Sequence, residues 1–141
     1  MKPMKLALSI STLALTVAGC GGGGGGGRVR GGAATTVLVP NVSFQVYAGT
    51  CAAVGNGPYI LPDGASTDFT VTDIDNTDYM DVGVIDTAYG CNFNQAWGAV
   101  LDANSVTSGA DNLPYGYYDF FVNCTNAFQP CQFRLNWTAT Y

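Results

Sequence analysis

The sequence predicts an all-β fold: a single antiparallel β-sandwich of about seven short strands, held by two disulfides. Three observations carry this. "CQFRLNWTATY", Cys131 to Tyr141, alternates without a break. Cys131, Phe133, Leu135, Trp137, Ala139 and Tyr141 fall on one side and Gln132, Arg134, Asn136, Thr138 and Thr140 on the other, the pattern of a half-buried strand. Short apolar runs recur between clusters of turn formers, and nowhere does a helical period persist for ten residues.

In chain order, the expected strands are Thr36–Val39, then Val42–Tyr47 with Val42, Phe44 and Val46 inward. Asp68–Thr72 follows with Phe69 and Val71 inward, and Tyr79–Ile85 with Met80, Val82 and Val84 inward. Trp97–Leu101 is expected to turn Trp97, Ala99 and Leu101 to the core, with room for one helical turn around Asn94–Gly98. Breaks are expected at "GNGP" (Gly55–Pro58), "LPDG" (Leu61–Gly64), "DIDN" (Asp73–Asn76) and "SGADNLP" (Ser108–Pro114). The last pair of strands flanks "TNAFQP", read as a hairpin. On the first of them Tyr118, Phe120, Val122 and Cys124 share one face, leaving Tyr117, Asp119, Phe121 and Asn123 on the other.

The chain has five cysteines. A hairpin at "TNAFQP" brings Cys124 and Cys131 together on the inward side, and Cys51 with Cys91 follows by elimination. Zinc is disfavoured, because there is no C-x-x-C pair and no histidine.

The fifth cysteine belongs to the N-terminus. In "MKPMKLALSISTLALTVAGC", Lys2 and Lys5 precede an apolar stretch from Leu6 to Val17, too short to span a bilayer and shaped like a secretory signal. Val17-Ala18-Gly19-Cys20 resembles the lipobox of bacterial lipoproteins. That resemblance implies cleavage before Cys20, a diacylglycerol thioether on its sulfur and acylation of its new amino group. It also implies a membrane anchor in the bacterial cell envelope, with Gly21 after the cysteine favouring the outer membrane. Several acyl chains on one residue anchor firmly, since each buried methylene contributes about 0.8 kcal/mol. Seven glycines, Gly21–Gly27, then lead through Arg28 and Arg30; such a run cannot bury apolar surface and acts as a tether. The expected organisation is therefore signal peptide 1–19, lipidated cysteine and tether 20–33, and sandwich 34–141.

Both lysines leave with the signal. The remaining chain has three arginines against ten aspartates, a formal charge of −7, and no Lys, His or Glu. With nothing to neutralise phosphates, nucleic acid is excluded as a partner. Catalysis is disfavoured by the same inventory: no Ser-His-Asp or Cys-His site can be assembled, and the disulfides consume the thiols.

"DNLPYGYYDFFVNCTNAFQPCQFRLNWTATY" resembles the end of the bacterial pre-peptidase C-terminal domain and related jelly-roll-like sandwiches, with Leu113, Gly116, Tyr118, Val122, Phe133 and Leu135 at the matching positions. "TDFTVTDIDNTDYMDVGVID" is more loosely similar to that family's early strands, so the likeness covers about 75 residues. It implies a Greek-key sandwich serving as an accessory module. The chain departs from that pattern in carrying two expected disulfides and no attached enzyme.

Two groups of residues stand out as candidate sites. "DIDNTDYMD" gathers Asp73, Asp75, Asp78 and Asp81, oxygen-rich enough for calcium, although an EF-hand loop would need Gly where Asp78 stands. The simpler reading is a solvated turn whose aspartates cap backbone amides. Tyr115, Tyr117 and Phe121 form a candidate binding face for a protein or glycan of the envelope, against the alternative that they pack beneath a loop or second sheet. The function expected is a lipid-anchored, non-catalytic binding or structural module; the alternative is a small tethered enzyme or protease inhibitor.

Overall fold

The computed structural model of the protein describes residues 33–141. The expected signal peptide, Cys20 and nearly all of the expected tether lie outside them. Eight strands, rather than about seven, make two four-stranded antiparallel sheets. They are β1 (Thr35–Val46), β2 (Cys51–Leu61), β3 (Ala65–Asp73), β4 (Met80–Asp86), β5 (Trp97–Ala103), β6 (Val106–Leu113), β7 (Gly116–Cys124) and β8 (Cys131–Thr140). One sheet has the order β1-β8-β3-β6 and the other β2-β7-β4-β5. Eight strands wound into two facing Greek-key sheets make a jelly roll.

The core lies between the sheets and comes mostly from the four central strands, whose alternation is the cleanest. On β8 Cys131, Phe133, Leu135, Trp137 and Ala139 are buried, on β7 Tyr118, Phe120, Val122 and Cys124, on β4 Met80, Val82 and Val84, and on β3 Phe69 and Val71. The aromatic rings meet edge to face: Phe69 on Phe120 at 4.8 Å and Tyr59 on Trp137 at 5.2 Å between centroids. Such pairs add about 0.5–1.5 kcal/mol beyond the area they bury. The Trp137 indole N–H donates to the Thr67 hydroxyl, which donates to the Thr138 carbonyl at 3.1 Å, so the largest buried side chain leaves no polar atom stranded.

Both expected disulfides form, Cys51–Cys91 and Cys124–Cys131. The expected hairpin does not. β7 and β8 lie in different sheets, so "TNAFQP" is an arch from one sheet to the other, and Cys124–Cys131 staples the two across the core with both residues fully buried. The physical reason is in the strands. Each carries one strongly apolar face, and opposing those faces across a core buries both, which one hairpin in one sheet would not do.

The other corrections fall on the edges of the sheets. β1 runs through Pro40 as one strand, with register shifts around Pro40-Asn41 and Asn41 at φ 51°; a bulge on an edge strand accommodates the missing N–H. Val42, expected inward, is 38 % exposed. β2 carries "GNGP" inside a strand, its register slipping between Val54 and Tyr59. "SGADNLP" is the body of β6, with another slip between Ala110 and Leu113 around Asn112. On β5 the phase inverts: Gly98 at φ 64° forms a bulge, so Val100 packs on the core while Ala99 and Leu101 face water. The expected helical turn appears slightly earlier, as short 3-10 turns at Thr87–Tyr89 and Phe93–Gln95.

Candidate functional site

Two clusters of chemistry occupy opposite ends of the sandwich. The first is built where β4 ends and β7 begins. The Leu113-x-x-Gly116-x-Tyr118 segment shapes the turn there: Leu113 and Tyr118 are buried, and the Tyr118 hydroxyl donates to the Pro114 carbonyl at 2.7 Å. Gly116 is required, because a Cβ would sit 2.9 Å from Asp86 Oδ2 and 3.1 Å from the Tyr118 ring. Burial raises the Tyr118 phenol above its ordinary pKa, with the carboxylates of Asp86 and Asp63 adding to the effect.

Beside this turn the connection from β4 to β5 folds back over the outer face of its own sheet. Asp86 starts it by capping a 3-10 turn, its Oδ1 accepting from the Ala88 N–H at 2.9 Å, and Asn92 caps the next in the same way. Cys51–Cys91 ties the segment to β2, at the far edge of that sheet. Ala96 then meets Gly83, where a Cβ would lie only 3.0 Å away. Between this segment and the start of β7 lies an open groove of about 390 Å³, walled by Asp86, Tyr89, Asn94, Gln95, Trp97 and Pro114. That volume falls in the range of ordinary ligand sites.

The expected binding face divides here. Tyr115 and Tyr117 are exposed, 61 % and 47 %, with ring centroids 6.3 Å apart and near-perpendicular planes. The neighbouring Tyr117 hydroxyl raises the Tyr115 phenol pKa. Ile60, paired with Tyr117 across β2 and β7, is exposed on the same face. Phe121 is a correction: it is only 8 % exposed and offers no open surface. It pairs with Gly83, the residue on which the β4–β5 connection packs, and Ile85 on the same outer face is fully buried. The connection covers an apolar strip that alternation alone assigns to solvent.

The second cluster lies where β3 ends and β4 and β8 begin. Oxygens of Asp73, Asp75 and Asp78 come within 4.8 Å of one another. Asp78 is fully buried; its Oδ1 accepts from Asn126 Nδ2 at 2.6 Å and its Oδ2 from the Gln132 N–H at 2.8 Å. Asp73 Oδ2 accepts from the Asp78 N–H at 3.0 Å and from Asn104 Nδ2 at 2.7 Å, while its buried Oδ1 has no donor. Asp75 is exposed and caps the Thr77 N–H at 3.3 Å. Desolvation raises the Asp73 carboxyl pKa; the hydrogen bond from the Asp78 N–H opposes this, and the charges of Asp78 and Asp75 reinforce it. Asp75 is lowered, chiefly by the Thr77 hydroxyl. Asp81, grouped with these by sequence, stands apart and accepts from the Asp102 N–H and from Asn123 Nδ2, both at 3.0 Å.

Sequence reasoning missed Asp86, Tyr89, Asn94, Gln95 and Trp97 as a group, since only the folded-back connection assembles them. The signal that could have found them is the pairing of Cys91 with Cys51, which forces the segment across the sheet. No family model matches the chain, and no curated protein matches it.

Proposed function

We propose that the protein is a lipid-anchored, non-catalytic module of the bacterial cell envelope, seated in the outer membrane through acyl chains on Cys20, and that it binds a glycan. The ligand lies in the groove walled by Asp86, Asn94, Gln95 and Trp97 and extends past its Pro114 wall onto the Tyr115–Tyr117 pair that follows in the chain. The observation that carries this reading is one groove lined by the rings of Tyr89 and Trp97 together with the carboxylate of Asp86 and the amides of Asn94 and Gln95. Rings stack on the apolar faces of sugars, and amides and carboxylates pair with their hydroxyls; a polyhydroxylated ligand uses both. Absence of Lys, His and Glu from the chain beyond the signal supports binding without catalysis. Likeness of the closing strands to pre-peptidase C-terminal domains fits an accessory role.

The test is a glycan array, including peptidoglycan fragments and lipopolysaccharide oligosaccharides, probed with the purified protein and with Tyr117→Ala. Glycan binding that falls about 10-fold in the variant, as for the loss of one exposed stacking ring, is expected. Capture of an envelope protein with no glycan signal would replace the ligand class, and hydrolysis of an array sugar would overturn the non-catalytic reading.

A further inference from the structure

We propose that Asp73, Asp75 and Asp78 form a binding site for a hard divalent cation of calcium's size, at the end of the sandwich opposite the groove. The cluster is more than a group of acidic residues. Asp73 is 7 % exposed, and its Oδ1 is the one buried side-chain polar atom among the described residues that has no hydrogen-bond partner. An orphaned carboxylate oxygen is costly, and a bound cation removes that cost.

Charge points the same way. Three carboxylates converge, and the described residues contain a single cationic side chain, Arg134, on the outward face of β8. The remaining contacts hold the carboxylates in place rather than neutralise them. Asn104 and the Asp78 N–H fix one Asp73 oxygen; Asn126 and the Gln132 N–H fix both Asp78 oxygens. Each Asp78 oxygen accepts one bond and keeps a further lone pair for a metal, and Asp73 Oδ1, which accepts none, keeps both. Asp75 lies on the solvent side, where water completes the shell. Calcium takes six to eight oxygens in adaptable geometry, whereas magnesium demands a strict octahedron, and an all-oxygen donor set gives softer metals no preferred ligand.

The ligands come from the end of β3 and the β3–β4 loop, and their carboxylates are held by Asn104 of the β5–β6 turn and Asn126 of the β7–β8 arch, so a cation binds where three connections meet. The cation therefore acts on stability, in a way independent of any glycan in the groove.

The experiment uses the full chain purified in detergent and stripped with chelator, titrated with calcium chloride by calorimetry and followed by thermal unfolding. One calcium per chain is expected, with a Kd of about 0.1–1 mM, the class of extracellular modules. The Tm should rise by about 10 °C at a calcium concentration 100 times Kd. Asp75→Asn keeps the Thr77 cap and an exposed position, so its metal-free Tm stays within about 2 °C of the parent while the heat and the rise are lost. Absence of calcium heat up to about 10 mM, tenfold above that class, would overturn the proposal. So would a rise matched by sodium chloride at equal ionic strength, or an unchanged response in Asp75→Asn.

Discussion

Removing the Cys51–Cys91 disulfide should both destabilise the protein and take its groove apart. The bridge closes a loop of 40 residues. On the loop-entropy relation, cross-linking a loop of that length removes about 13 cal/mol/K from the unfolded chain, or about 4 kcal/mol at 25 °C. The same relation gives about 2.4 kcal/mol for the 7-residue separation of Cys124 and Cys131. Cys51 is half-buried and Cys91 exposed, so a Cys51→Ala/Cys91→Ala double variant opens little cavity and the entropic figure stands nearly alone. Urea unfolding followed by tryptophan fluorescence should therefore show a loss of about 4 kcal/mol, or about 15 °C in Tm. The structure adds a local effect: freed from β2, residues 87–96 should be cut early by chymotrypsin at Tyr89 and Phe93, and Phe121 should become exposed. A loss below about 1.5 kcal/mol, with the segment still protected, would refute the claim that this bridge pins the connection over the sheet.

Other predictions follow from single contacts. Tyr118→Phe leaves the Pro114 carbonyl without its donor and should cost about 1–1.5 kcal/mol in urea unfolding, with the fold unchanged by circular dichroism. Leu101→Ala should change stability by less than about 0.5 kcal/mol and Val100→Ala should cost about 1–2 kcal/mol, the reverse of what alternation from Trp97 implies. Burial raises the Asp119 carboxyl pKa, so the folded state binds a proton more readily than the unfolded one. Its contribution to stability is full below the ordinary carboxylate range and is lost as pH rises through the raised value. Tm measured against pH should show Asp119→Asn gaining on the parent above that window and converging with it below. Tyr115→Ala/Tyr117→Ala should leave Tm unchanged within about 2 °C, because both rings are exposed.

The strands that were legible in the sequence are the central ones. β3, β4, β7 and β8 each have two hydrogen-bonded neighbours and keep strict alternation, since one slip would turn a whole face to the wrong side. The strands misread are the four edges. β1 carries Pro40, β2 carries "GNGP", β5 slips at Gly98 and β6 at Asn112. An edge strand has one partner, tolerates bulges and benefits from features that discourage pairing with another chain, so the residues that usually signal a break sit inside it. The candidate sites divide for a related reason. The aspartate cluster is local in sequence and was visible, apart from Asp81, whose side chain turns to the outer face of β4. The groove depends on a disulfide of long reach, and Phe121 on what that disulfide lays over it.

The claim that the groove and the tyrosine pair beyond its Pro114 wall bind a glycan is tested most directly by backbone amide chemical shifts of the labelled protein, recorded as the best array oligosaccharide is added. Shifts concentrated on Tyr89, Asn94, Gln95, Trp97, Tyr115 and Tyr117, with the Asp73–Asp78 end silent, are the predicted result. Shifts confined to the outer face of the β1-β8-β3-β6 sheet, or none at saturating sugar, would contradict it.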